Sequence, residues 1–227
     1  MAERTPRGPR TLRVVFPALA ALVAAGSLTG CGGPEPMPEV RQGDRPSGVP
    51  SAGGSSAEGG AAAVAEAGAV VGGRGSACAL PVSFSAAAEW VAKTVAGADD
   101  PEFAALTRQG PATVRCEVDA KPAGHLGYLR VWTAGKGPAR VALEGFVKGE
   151  PNGSKAVYRE TRAGQLAATE VTYTVFNKLM EESKEERAFA VATPKGTVIV
   201  HLGGLDTDEH RAMLPAYELA RTTLKPL

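Results

Sequence analysis

Isoleucine is almost missing from this chain of 227 residues: Ile199 is its sole representative, and asparagine occurs only at Asn152 and Asn177. Alanine and glycine fill the space, a skew that looks like translation from a GC-rich genome. Aromatic residues make up only 5% of the chain, and every tryptophan and tyrosine lies between Trp90 and Tyr217. A packed core is therefore expected in the C-terminal part alone. An excess of charge of one sign is lacking too. Residues 1–30 hold four arginines and Glu3, and without them the formal net charge is −2. That excludes the basic stripe of a nucleic-acid binder and a polybasic membrane surface. The motifs G-x-S-x-G, H-E-x-x-H and G-x-x-x-x-G-K-[ST] do not occur. No catalytic residue, metal set or cofactor is thus expected from spacing.

What is there begins at the N-terminus. Arg4, Arg7, Arg10 and Arg13 form a basic segment, and Val14 to Ser27 follows without a charge. At about fourteen residues this run falls short of the roughly 20 that span a bilayer, but it suits an export signal. It ends in Leu28-Thr29-Gly30-Cys31, which resembles the bacterial lipobox. The resemblance implies a signal peptide over residues 1–30, cleavage before Cys31, and a lipid on that cysteine through a thioether. Stable anchoring takes more than one acyl chain, each buried CH₂ contributing about 0.8 kcal/mol. The expected place is the outer face of the cell membrane, with the lipid as the membrane partner. An ordinary secretory signal beside a chance cysteine is the alternative. No twin-arginine pair occurs, so the general secretory route is the simpler one.

Residues 31–77 read as the lipidated cysteine and a disordered linker rich in Gly, Pro, Ser and Ala, opening with Pro34-Glu35-Pro36-Met37-Pro38. Such a composition buries too little apolar surface to offset ordering entropy, and its root-mean-square span as a coil is roughly 40 Å. Ala61 to Val71 carries neither caps nor periodicity for a helix. Residues 78–227 have the length of one globular domain. Outside the reducing cytoplasm, Cys78 and Cys116 are available to pair. In Thr113 to Val118 the apolar face is Val114, Cys116 and Val118, which points the sulfur inwards. Two buried free thiols are the alternative.

Within that domain, strands are expected at Val82–Phe84, Ala112–Asp119, His125–Thr133, Val157–Thr161, Leu166–Phe176, Arg187–Thr193 and Thr197–Leu202. Lys121-Pro122-Ala123-Gly124, Ala163-Gly164 and Pro194-Lys195-Gly196 supply turns between them. The segment around Trp90 has no clear type, and Pro101–Leu106 reads as a helical turn. Pro138–Lys148 reads as a helix with Ala139, Leu143, Phe146 and Val147 on one face. A last helix runs from about Thr207 to Leu224, with Asp206 and Glu209 at capping-box spacing and Met213, Tyr217, Ala220 and Leu224 inside. Pro215 should kink or restart it. Strands and helices in this order predict an α+β fold, an antiparallel sheet flanked by helices.

Cys116 to His125, Leu129-Arg130-Val131-Trp132, His201-Leu202-Gly203-Gly204 and Met213 to Glu218 resemble small lipoproteins of Streptomyces-type actinobacteria. The element order is similar to the PsbP-like fold, also seen in LpqN/LpqT-type lipoproteins. That likeness implies an α/β/α sandwich. It also implies a binding or accessory module, with no catalytic residues to carry over.

The remaining candidates each have a structural and a functional reading. Asp206, Asp208 and His210 at a helix start form either a metal site or acids set against the helix dipole, the latter better supported; the adjoining Gly203-Gly204 turn could instead capture an anion. His125 reads as structural, and Glu181 to Arg187 as a solvated charge run. Trp90 and Trp132 read as core residues rather than stacking platforms, and Asn152-Gly153-Ser154 as a turn. His201 lies on the strand face opposite Val198, Val200 and Leu202. Three functions stand. The first is an envelope binding or accessory module holding a protein or a small hydrophobic ligand. The second is an envelope hydrolase or transferase using His201 and nearby acids, and the third a wall spacer. A carboxylate and a hydroxyl beside His201 would favour the enzyme.

Overall fold

Alternation writes most of the sheet. The computed structural model describes residues 63–227, and in it the strand Ala112–Asp119 buries every second side chain, Ala112, Val114, Cys116 and Val118. In chain order the strands are β1 (Ala67–Val71), β2 (Val82–Ala87), β3 (Val91–Thr94), β4 (Arg108–Gln109), β5 (Ala112–Asp119), β6 (Gly127–Ala134), β7 (Gly153–Ala163), β8 (Leu166–Asn177), β9 (Glu182–Thr193), β10 (Gly196–Gly204) and β11 (Lys225–Pro226). The helices are α1 (Ala104–Thr107), α2 (Ala139–Lys148) and α3 (Thr207–Thr223).

An eight-stranded sheet runs in the order β3-β5-β6-β10-β9-β8-β7, with β4 beside β5, and β1-β2-β11 form a small second sheet. All pairings are antiparallel. Because successive strand residues point to opposite faces, the large sheet feeds two cores. Leu129, Val131, Phe189, Val191, Val198, Val200 and Leu202 pack with Met213 and Tyr217 of α3 and Phe84 of the small sheet. Val114, Trp132, Val171, Ala188, Ala190 and Ile199 pack with Leu143, Phe146 and Val147 of α2 on the other face. This is the α+β architecture expected, an antiparallel sheet between helical layers.

Local chemistry explains the elements. Asp206 accepts the Glu209 amide at 2.8 Å and so caps α3. Gly164 turns β7 into β8 with φ +53° against the Leu224 carbonyl, where no Cβ fits. Cys116, on the α3 face of β5, is joined to Cys78 by a disulfide, with Cα atoms 5.8 Å apart.

Three readings need correction, and one open segment is assigned. Ala67–Val71, assigned to the linker, is strand β1 on the free edge of β2; its Gly- and Ala-rich sequence gives no strand signal of its own, and β2 supplies the partner. The fold thus begins ahead of Cys78. The run Glu181 to Arg187 is solvated only in part: β9 begins at Glu182, and while Glu181, Glu182, Ser183 and Glu185 are exposed, Glu186 is buried. The Trp90 region leads into β3. Pro215 does not restart α3, which runs unbroken from Thr207 to Thr223, and its carbonyl accepts the Ala65 amide at 3.0 Å. Residues 1–30, Cys31 and the first part of the expected linker lie outside the described residues.

Candidate functional site

Helix α2 is too short for its sheet. Ten residues cover about 15 Å, whereas the twelve-residue strands β8 and β9 run about 40 Å. Beyond the helix this face stays uncovered at one end, and the side chains there alternate in step with the core. Glu117 stands opposite Arg130, and Arg130 opposite His201. One step outwards, Asp119 faces Tyr128, Tyr128 faces Gly203, and Glu186 pairs with Tyr173. A cavity of about 440 Å³ is lined by Asp119, Tyr128, Arg130, Glu186, His201 and Gly203, and bounded also by Lys121, His125, Leu126, Lys184 and Leu205.

Glu186 and His201 make its floor. The carboxylate contacts His201 Nε2 through Oε2 and Lys184 Nζ at 2.7 Å through Oε1. Burial pushes the Glu186 carboxyl up, yet the His201 and Lys184 charges together outweigh it and hold the group at about 2. Lys184 also donates to the Gly204 carbonyl at 2.9 Å. Tyr173 OH lies 3.1 Å from the same His201 Nε2. Burial, with Glu186 adding to it, raises that phenol well above the ordinary tyrosine range, so it stays protonated. Phe146 of α2 packs edge-on against the imidazole, 5.5 Å between ring centres. Gly203 keeps the floor open, since a Cβ there would stand 3.4 Å from Glu186 Oε2 and 3.5 Å from His201 Cε1.

His201 therefore does have a carboxylate and a hydroxyl beside it. Both, however, converge on one ring nitrogen, and both oxygens of Glu186 are already taken. No Ser, Thr or Cys is among the residues lining the cavity. The arrangement thus offers no Ser, Thr or Cys nucleophile to a bound molecule.

The other candidates fall elsewhere. Asp206 is consumed as the α3 cap, Asp208 points to solvent with Arg211 3.9 Å away, and His210 is buried, so the three do not converge. Burial holds the His210 imidazole at about 4 against the pull of Glu186. Among the described residues no three His, Cys, Asp or Glu side chains are grouped to hold a metal ion. His125 lines the cavity, its Nδ1 3.4 Å from Glu209. Trp90 and Trp132 are core residues. Asn152 sits at a turn, its carbonyl accepting the Phe176 amide. Lys184 and Glu186 escaped the sequence reading inside a charge run. The available signal was period two: continued backwards from Ala188 and Ala190, the face of β9 includes both.

A family model described as "Uncharacterised lipoprotein" matches residues 49–224. No curated protein matches the chain. Among solved structures it is similar to the solution structure of cyanobacterial PsbP from Synechocystis sp. PCC 6803, at 13% identity and a TM-score of 0.45, covering 69% of this chain and 97% of that one.

Proposed function

The chain belongs to the uncharacterised lipoprotein family, and on that premise we propose an exported binding module, tethered to the outer face of the membrane by a lipid on Cys31. The observation that carries the reading is the cavity over Gly203. Its volume, about 440 Å³, falls in the range of small-molecule sites. Its floor is an ion-paired, hydrogen-bonded cluster that holds a fixed shape. A binding site needs that rigidity, and the lack of a Ser, Thr or Cys among the lining residues argues against group transfer through a hydroxyl or thiol paired with His201. The supporting likeness to actinobacterial lipoproteins rests on the residue segments quoted above.

The test is a thermal-shift screen of the full chain against lipids, metal ions and cell-wall fragments, run beside Gly203→Val. A branched side chain at this position intrudes on the floor of the cavity, beside Glu186 and His201, without removing a charge. Compounds that raise the melting temperature of the wild type and leave the variant unmoved support the reading. Stabilisation that is identical in both places the ligand elsewhere. An envelope hydrolase or transferase is the second reading, favoured by the contact of His201 with Glu186 and Tyr173. Turnover of an ester or amide, lost in His201→Gln, would establish it.

A further inference from the structure

We infer that the cavity over Gly203 receives the anionic head of a small amphiphile, carboxylate or phosphate oxygens, with the apolar part against Tyr128, Leu126 and Leu205. This rests on the binding reading and adds the chemistry of the ligand.

The inference follows from what hydrogen-bonding capacity is left over. Both oxygens of Glu186 are occupied, by Lys184 and His201. Glu117 takes the Arg130 Nε–H at 2.7 Å. Asp119 accepts the Lys121 amide at 3.0 Å through Oδ1, which leaves it a single free oxygen. The donors are in surplus. Lys184 spends two of its three protons, on Glu186 and the Gly204 carbonyl. Arg130 spends only Nε–H, and its terminal amino groups have no partner among the described residues. Lys121 lines the same cavity and forms no ion pair among the described residues. A cationic head would meet three positive side chains and two spare carboxylate oxygens, one on Asp119 and one on Glu117. A carboxylate or phosphate finds a guanidinium fork and two ammonium groups, which suit its charge and shape.

The rim sets the rest of the molecule. Leu126 and Leu205 are about half exposed, and the Leu205 amide donates to the Leu126 carbonyl at 2.8 Å, so the two form one apolar lip. Tyr128 stands opposite with the Arg130 guanidinium 5.1 Å from its ring centre. Exposed leucines beside charged groups fit a ligand with two unlike ends.

The experiment is isothermal titration of the full lipidated chain in phosphatidylcholine nanodiscs with hexanoate, hexyl phosphate, hexanol and hexylamine. The two anions should bind about tenfold or more tighter than hexanol and hexylamine. Arg130→Gln, with or without Glu117→Gln, should weaken both anions by about tenfold, and Gly203→Val should abolish binding. If hexylamine or hexanol binds as tightly as the anions and Gly203→Val removes that binding, the anionic head is wrong while the cavity remains a binding site. If none of the probes binds, or Gly203→Val changes nothing, both readings fall. Phosphatidylglycerol nanodiscs that compete with hexyl phosphate assign the head to a membrane lipid; without competition it belongs to a free amphiphile.

Discussion

At the scale of single residues, the buried groups of β9, β10 and α3 make stability depend on acid. Unfolded, His210 returns to its ordinary value of 6.5, whereas in the fold it takes a proton only near 4. Between those values the unfolded chain binds more protons, so stability falls as the pH drops from about 6.5 to about 4, by about 3 kcal/mol. Glu186 acts in the same direction further down: its contribution is complete above 4.5 and is lost as the pH falls towards 2. Urea unfolding of the wild type and His210→Phe at a series of pH values should show a flatter curve for the variant between pH 6.5 and 4. His201→Phe should act differently. It leaves Glu186 Oε2 and the Tyr173 hydroxyl buried without their partner, at a cost of about 3 kcal/mol at neutral pH. In the double variant with Glu186→Leu the loss should be smaller than the sum of the two single losses, read from the same unfolding curves.

Elements are held by links of very different legibility. The disulfide ties the segment ahead of β2 to β5 across 38 residues, and the chain-entropy model gives about 4 kcal/mol for a loop of that length. Cys78→Ala with Cys116→Ala should lower the urea midpoint accordingly, with β5 still formed. Strand β5 and helix α3 were readable because their signals are local: alternation through Val114, Cys116 and Val118, and the Asp206–Glu209 cap. Strand β1 was not, because Gly68 and its alanines carry no preference and only the edge of β2 selects an extended form. The site was half legible. His201 announced itself by standing on the face opposite three apolar residues, whereas Glu186 looked like one acid among many, its place set by pairing with Tyr173 of β8 and contact with His201 of β10. Arg130 gave no local sign, and Gly203 was read only as part of a turn beside α3, since it takes the sheet register to bring the two together.

For the molecule as a whole, the proposed lipid on Cys31 makes attachment a question apart from folding. No helix among the described residues is long and apolar enough to cross a membrane. If the lipid is the only attachment, Cys31→Ala should move the folded chain from the membrane pellet into the medium, as followed by fractionation and immunoblot. Persistence in the pellet would mean that the folded part has a membrane or partner site of its own. The sheet also makes the molecule two-sided. Lys184, Glu186, Ala188 and Ala190 of β9 face the cavity and α2, while Arg187, Phe189 and Val191 face α3, with Arg187 3.8 Å from Glu218 and over the Tyr217 ring. One residue inserted between Lys184 and Ala188 would exchange the two sets, placing a guanidinium in the cavity and a carboxylate beneath the helix. β9 behaves as a reading frame, in which descendants can tolerate spelling changes but not a shift by a single letter.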